Sequence, residues 1–296
     1  MKYISPVLFT MIMLCACNNS KKETQSTGPV SDLCHIDLVV DTATWMAIKN
    51  DSFFQKMFAV LETDTAYYGG KPSYDLYALG QLNFLHISQA KGFWTDQQGS
   101  GVVVFQTQKP GMKDSLVASL RQYFKDSLNI RTYNGQDFTL DEIMPPWNKP
   151  DSTKPMEPGM FANLTSYSAD AYKNWGITDS MVNAGLAMKQ FMGSWGGKEL
   201  ESKLFDAITE LHITINQKEF VEIRSALLCM GYAENNNKFT HSFNPSVYIS
   251  VSEEKRKPKY SKVKFRLTRA VEEKGIIFSP SLTLKLNGKE GFLILN

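Results

Sequence analysis

Between Leu33 and Ala59 the spacing of apolar residues changes from that of a strand to that of a helix. Ile36, Leu38, Val39 and Val40 form an apolar run, Asp41-Thr42 interrupts it, and Trp45, Met46, Ile48, Phe53 and Phe54 follow at helical intervals. The same change recurs at Thr209–Gly231. There a strand over Glu210–Ile215 leads to Asn216, an N-cap with Glu219 three residues on, and Phe220, Ile223, Leu227 and Met230 make the stripe that Gly231 ends. A less regular copy occupies Gly101–Phe124, with Val102–Phe105 as strand and Leu116, Leu120 and Phe124 on a helix over Met112–Leu128.

Short strand-like runs follow each copy. They are Ala59–Tyr68, Tyr74–Leu79 and Asn83–Gln89 after the first, and Ile130–Tyr133, Phe138–Ile143 and Met160–Tyr167 after the second. Phe239–Phe243 and Val247–Val251 follow the third. Pro145–Pro158 is a long proline-rich loop, and Asp170–Trp195 has helical spacing at Met181, Leu186, Met188 and Phe191. Gly193–Gly197 then predicts a boundary between halves. Beyond Pro258, Val263–Leu267, Ile276–Phe278, Leu282–Leu286 and Phe292–Leu295 predict four strands, with Asn287-Gly288 as a hairpin turn. This reads as a module that has lost its helix. The expected class is α+β: tandem βαβββ modules with curved mixed sheets and helices on the outer face. The expected divisions are a signal peptide at 1–16, a tether at 17–32, a first half at 33–197 and a second at 198–296.

The N-terminus changes the picture of where the protein sits. Lys2, the short apolar run Val7–Leu14 and then Leu14-Cys15-Ala16-Cys17 resemble a bacterial lipoprotein signal, cleaved ahead of Cys17 and acylated on its thiol. The run is too short to span a bilayer, whereas several acyl chains anchor stably. Polar Asn18–Asp32 fits a tether, and the residue after Cys17 is not Asp, which by resemblance favours the outer membrane of the cell envelope. Cys34 and Cys229 remain in the mature chain; both lie in apolar elements, where cysteine acts as a small hydrophobe, although an oxidising compartment would permit pairing. With 43% hydrophobic residues and a net charge of +2, the chain is globular and lacks a basic surface for nucleic acid. The run Glu253–Lys259 reads as a solvated hairpin tip.

Three short segments carry a family resemblance: His35-Ile36-Asp37-Leu38, Phe84-Leu85-His86-Ile87 and Leu211-His212-Ile213. With the strand-helix-three-strand repeat, they resemble the vicinal oxygen chelate superfamily of glyoxalase I, extradiol dioxygenases and bleomycin-resistance proteins. The resemblance implies metal ligands on the first and last strands of paired modules, which here are His35 and His86. Two imidazoles suit Zn, Fe or Ni, but a catalytic site normally has three protein ligands. The matching place in the second module falls near Val102, and Asn163–Tyr167 offers neither His nor carboxylate. His212 has only Tyr248 or Ser250 as counterparts. The common nucleophile, phosphate-loop and dinucleotide motifs are absent, and Asp141-Glu142, adjacent on a strand, point to opposite faces.

Two functions compete. One is a non-catalytic envelope module binding a small molecule or an envelope protein, with Trp94, Trp147 and Tyr167 as candidate ligand contacts. The other is a metal-dependent lyase, isomerase or dioxygenase using His35 and His86. The first reading expects substoichiometric metal and a chain that still folds with both histidines changed to Ala. Replacing Cys17 by Ser is expected to move the protein from the membrane to the soluble envelope fraction; unaltered membrane association after fractionation would exclude lipid anchoring there.

Overall fold

The computed structural model describes residues 28–68, 71–90, 99–135, 138–144, 159–252 and 259–296. Strand β1 (Ser31–Val40) begins two residues before Leu33, where the sequence pattern placed the start of the first module. Helix α1 (Thr42–Asn50) starts where the Asp41 carboxylate accepts the Thr44 N–H at 2.8 Å, satisfying one of the donors that a helix start leaves free. A π-type turn at Phe54–Phe58 then leads to β2 (Val60–Tyr68), β3 (Lys71–Leu79) and β4 (Phe84–Gln89), with β4 parallel to β1. The second module repeats this with β5 (Gly101–Thr107), α2 (Lys113–Tyr123), β6 (Asn129–Asn134), β7 (Thr139–Met144) and β8 (Met160–Tyr167), and β8 lies parallel to β5. Antiparallel pairing of β1 with β5 joins the modules into an eight-stranded sheet of order β2-β3-β4-β1-β5-β8-β7-β6.

Three helices follow, α3 (Ala169–Asn174), α4 (Asp179–Ala184) and α5 (Met188–Gly196), then a 3-10 turn at Gly197–Ser202. Gly176 and Gly185, at φ +76° and +96°, break what the periodicity suggested was a nearly continuous helix. The helix of the second module likewise stops at Tyr123, because Phe124 turns extended and buries its ring. A third repeat builds the second sheet: β9 (Phe205–Ile215), α6 (Gln217–Cys229), β10 (Ala233–Asn235), β11 (Lys238–Thr240) and β12 (Ser246–Val251), with β12 parallel to β9. Asn216 and Glu219 form the expected capping box through reciprocal 2.9 Å hydrogen bonds.

The C-terminal part departs from expectation. Instead of four strands it is one long hairpin, β13 (Lys259–Ser279) and β14 (Leu282–Leu295), completing a six-stranded sheet of order β10-β11-β12-β9-β13-β14. The chain reverses between Ser279 and Leu282, and Asn287-Gly288 lies inside β14. Gly288, at φ +59°, stands opposite Val271 where the ladder slips register. The left-handed backbone that glycine permits makes a bulge here, not a turn.

A continuous core runs between the two sheets, so the face carrying α1 and α2 is covered and not exterior. Phe58 stacks on Phe205 with centroids 5.4 Å apart, and the Phe54 ring meets Phe278 edge-on. Glu219, while capping α6, also accepts the Met160 N–H of β8 at 3.2 Å. The Tyr260 hydroxyl donates to the Val102 carbonyl at 2.8 Å. On the opposite face of the first sheet, α3–α5 pack over Val102, Val104 and Phe84 and enclose a cavity. Among the described residues no helix is long and apolar enough to cross a membrane.

Gly101 leaves no room for a side chain, since a Cβ there would overlap both the Tyr260 ring of the second sheet and the Asp37 carbonyl of its own sheet. Gly101→Ala is expected to destabilise by roughly 1–3 kcal/mol through overpacking, against a change within about 0.5 kcal/mol for Gly275→Ala, where the space is open. Denaturant unfolding of both variants checks this, and equal effects would refute the tight approach.

Candidate functional site

Strand alternation places His35 and Asp37 two residues apart on the cavity face of β1, and the parallel register sets His86 of β4 directly beside Asp37. One oxygen of Asp37 accepts from His86 Nδ1 at 2.8 Å and lies 3.2 Å from His35 Nε2. His86 Nε2 is 3.2 Å from Asp75 of β3, a carboxylate that also accepts the Ser88 hydroxyl at 2.6 Å. Both nitrogens of His86 therefore face carboxylates, as an imidazolium requires. Burial opposes that charge, but Asp37 first and then Asp75 outweigh it and push the imidazole up to about 10. Burial likewise works against the Asp37 carboxylate, and the two histidines reverse this and hold it well below the usual carboxylate range. Aromatic rings back both imidazoles: Tyr77 stacks on His86 at 4.7 Å and Phe84 on His35 at 4.3 Å.

The second module answers with a related pair. Glu142 of β7 pairs with Thr165 of β8 as Asp75 pairs with Ser88, and Asn163 precedes Thr165 by two as His86 precedes Ser88. The Asn163 amide donates to Glu142 at 3.0 Å, just as His86 donates to Asp75. Val104 and Val102 of β5, however, face the cavity side where β1 presents His35 and Asp37, so the charged chain stops at the seam. Two buried polar atoms of the cavity residues have no partner: His35 Nδ1 and Asn163 Oδ1. Glu142 fixes the Asn163 amide, because only its NH2 can donate to a carboxylate, and Asp37 fixes His35 Nε2 as the protonated nitrogen. The Asn163 orphan is thus an acceptor.

Helices α3–α5 supply the roof. Trp175, Phe191 and Trp195 close over Tyr167, Phe84 and Tyr77, with ring centroids between 4.9 and 6.3 Å in contacts such as Tyr167–Trp175 and Tyr167–Phe191. The Trp195 indole N–H donates to Glu62 of β2 at 2.8 Å, pinning the roof to the rim. The enclosed space is about 800 Å³, the size of a small-organic-ligand site.

His35, His86 and Tyr167, three of the residues singled out from sequence, line this cavity. Trp94, Trp147 and Cys17 lie outside the described residues. His212 is elsewhere: it stacks on Tyr248 and sits 3.3 Å from Glu210 on the second sheet. Cys34 and Cys229 are both free and buried, Cys34 with its thiol 3.3 Å from Gln106. Asp141 and Glu142 do diverge, Asp141 to Lys113 and Glu142 into the cavity. Sequence reasoning missed Asp75, Glu142, Asn163 and the roof aromatics. The alternation of Asp75 with Tyr77, and of Asn163 with Thr165, was the available signal. Among the described residues, His35, Asp37 and His86 form the single cluster with ligand atoms close enough to share a metal ion, within 4.8 Å of one another. The donors suit such an ion in kind, but it would have to displace the proton that His86 shares with Asp37.

A family model described as a family of unknown function, DUF5829, matches residues 33–294. The chain belongs to this family. The match spans both sheets and every residue of the cavity. No curated protein matches the chain.

The site also sets a pH dependence. Because the folded pKa of His86 is raised from its ordinary value of 6.5 to about 10, its stabilisation is complete below about 6.5 and is lost as pH rises through about 10. Unfolding free energy is expected to fall between pH 7 and 10, and His86→Gln is expected to flatten that slope. His86→Ala is also expected to destabilise at neutral pH, since Asp37 and Asp75 lose their shared cation; this revises the sequence-based expectation that removing the histidines leaves folding untouched. A wild-type stability that stays level from pH 7 to 10 would exclude the imidazolium.

Proposed function

We propose that the protein is an envelope lipoprotein whose folded part is a non-catalytic binding module for a small organic molecule, held in the cavity between the first sheet and α3–α5. The observation that carries this is the cavity itself: about 800 Å³, with an aromatic roof and a polar floor that leaves buried polar atoms without partners. Buried polar groups rarely stay unpaired, so a ligand that pairs with His35 Nδ1 and donates to Asn163 Oδ1 completes the site. The strand order β2-β3-β4-β1-β5-β8-β7-β6 supports the resemblance to glyoxalase and bleomycin-resistance modules, a group whose paired modules cup ligands at the seam.

The second reading is a metal-dependent enzyme of that superfamily, favoured by the convergence of His35, Asp37 and His86. Such an ion would polarise a ligand oxygen at the seam. Against it stands the second module, where valines occupy the cavity side of β5 and Asn163 takes the place of a stronger ligand.

Screening neutral and charged bicyclic aromatics by tryptophan emission is expected to find binders, with Trp195→Ala weakening them at least about tenfold, in the range of an aromatic anchor. No emission change with any member would refute a ligand cavity. Elemental analysis is expected to give substoichiometric zinc, iron and nickel; one equivalent that disappears in His35→Ala would make the enzyme reading the leading one.

A further inference from the structure

The cavity's chemistry narrows the class of ligand, on the reading that the cavity binds one. Among the described residues lining it, four are carboxylates, Asp37, Glu62, Asp64 and Glu142, and none is Lys or Arg. The His86 cation of the floor is already held between Asp37 and Asp75. Four side-chain donors of the wall are spent inside it. Trp195 donates to Glu62, Thr165 to the Phe105 carbonyl, Ser194 to the Phe191 carbonyl and Gln106 to the Tyr172 oxygen. Among the buried polar atoms of the wall, the acceptor left unmatched is the Asn163 amide oxygen. Asn163 is 6% exposed, lines the cavity, and its amide oxygen has no partner because Glu142 holds the NH2 on the other side. Across the seam, Val104 pairs with both His35 and Asn163, so the residues of the two orphan atoms occupy one row of the sheet, one strand apart on either side of an apolar residue.

An anion entering this space would meet carboxylates and acceptors with no free donor among these groups. A neutral donor would satisfy Asn163 but leave the carboxylate field unused. A protonated amine satisfies both and also gains from the electron-rich faces of the roof aromatics. We propose that the cavity selects a cationic ligand, an aromatic or aliphatic body bearing a protonated amine, with the ammonium group donating toward Asn163 Oδ1 beside Glu142 and the body packed under Trp175, Phe191 and Trp195. The carboxylates do not transfer anything; they hold charge.

The test uses three probes of one shape at pH 7: 2-naphthylmethylammonium, 2-naphthylmethanol and 2-naphthoate, titrated calorimetrically into the full chain. The ammonium is expected to bind roughly tenfold tighter than the alcohol, as a desolvated cation over aromatic faces does, with the carboxylate weakest. Glu142→Gln is expected to bring ammonium and alcohol within about twofold of each other, and retained alcohol binding shows that the variant is folded. Alcohol or naphthoate binding as tightly as the ammonium would overturn the cationic class while leaving the cavity reading in place. A preference for ammonium that persists in both Glu142→Gln and Glu62→Gln would overturn its assignment to these carboxylates. If none of the three binds and tryptophan emission is unchanged, both the class and the cavity reading fall.

Discussion

The antiparallel seam between β1 and β5 is the constraint on which everything else rests. It is where two βαβββ modules become one sheet, and each partner strand carries a parallel neighbour on its other side. Because side chains alternate across a strand, the seam sorts residues into two populations. Ile36, Leu38, Val103 and Phe105 go to the core shared with the second sheet, while His35, Asp37 and Val104 go to the cavity. A slip of one residue would exchange these sets and bury the charged ones against the second sheet. Tyr260, reaching from that sheet to the Val102 carbonyl, and Gly101, which leaves room for its ring, hold the register from below.

The two modules are related in backbone and unequal in chemistry. In the first, a chain of Asp75, His86, Asp37 and His35 distributes charge across three strands. In the second, the equivalent places hold Glu142 and Asn163, followed by valines. The inequality explains why the cavity has a polar floor on one side of the seam and a mixed one on the other. It also explains why the roof leans on the first module, where Trp195 finds Glu62 and packs on Phe84 and Tyr77.

Much of the fold was legible in the residue pattern because each repeat carries its own punctuation. Asp41 and Asn216 announce helix starts by capping, and both caps form. Parallel closure of β4 on β1 and of β12 on β9 follows from the strand-helix-three-strand order. Asn287-Gly288 misled because the same left-handed backbone serves a hairpin turn and a bulge, and only the partner strand decides which. The site was half legible. His35 and His86 stood out by residue type, whereas Asp75, Glu142 and Asn163 are ordinary polar residues until sheet register brings them to the same face. Trp175 and Trp195 lie at helix ends, where local sequence has no means of telling a pocket roof from a cap on the core.

The bulged hairpin has one further consequence. β14 is an outer strand of the second sheet, and at 14 residues it is long for an edge. A flat strand of that length offers a row of unpaired backbone groups to any neighbouring chain, which is how sheets polymerise edge to edge. Here the ladder slips between Arg266 and Val271 and again before Lys274, Gly288 turns the backbone aside, and Lys285 and Lys289 flank the irregularity. No uninterrupted run survives along the whole edge. For a protein concentrated on a membrane surface, as the lipoprotein reading has it, such an interruption would keep neighbouring copies from zipping into fibres.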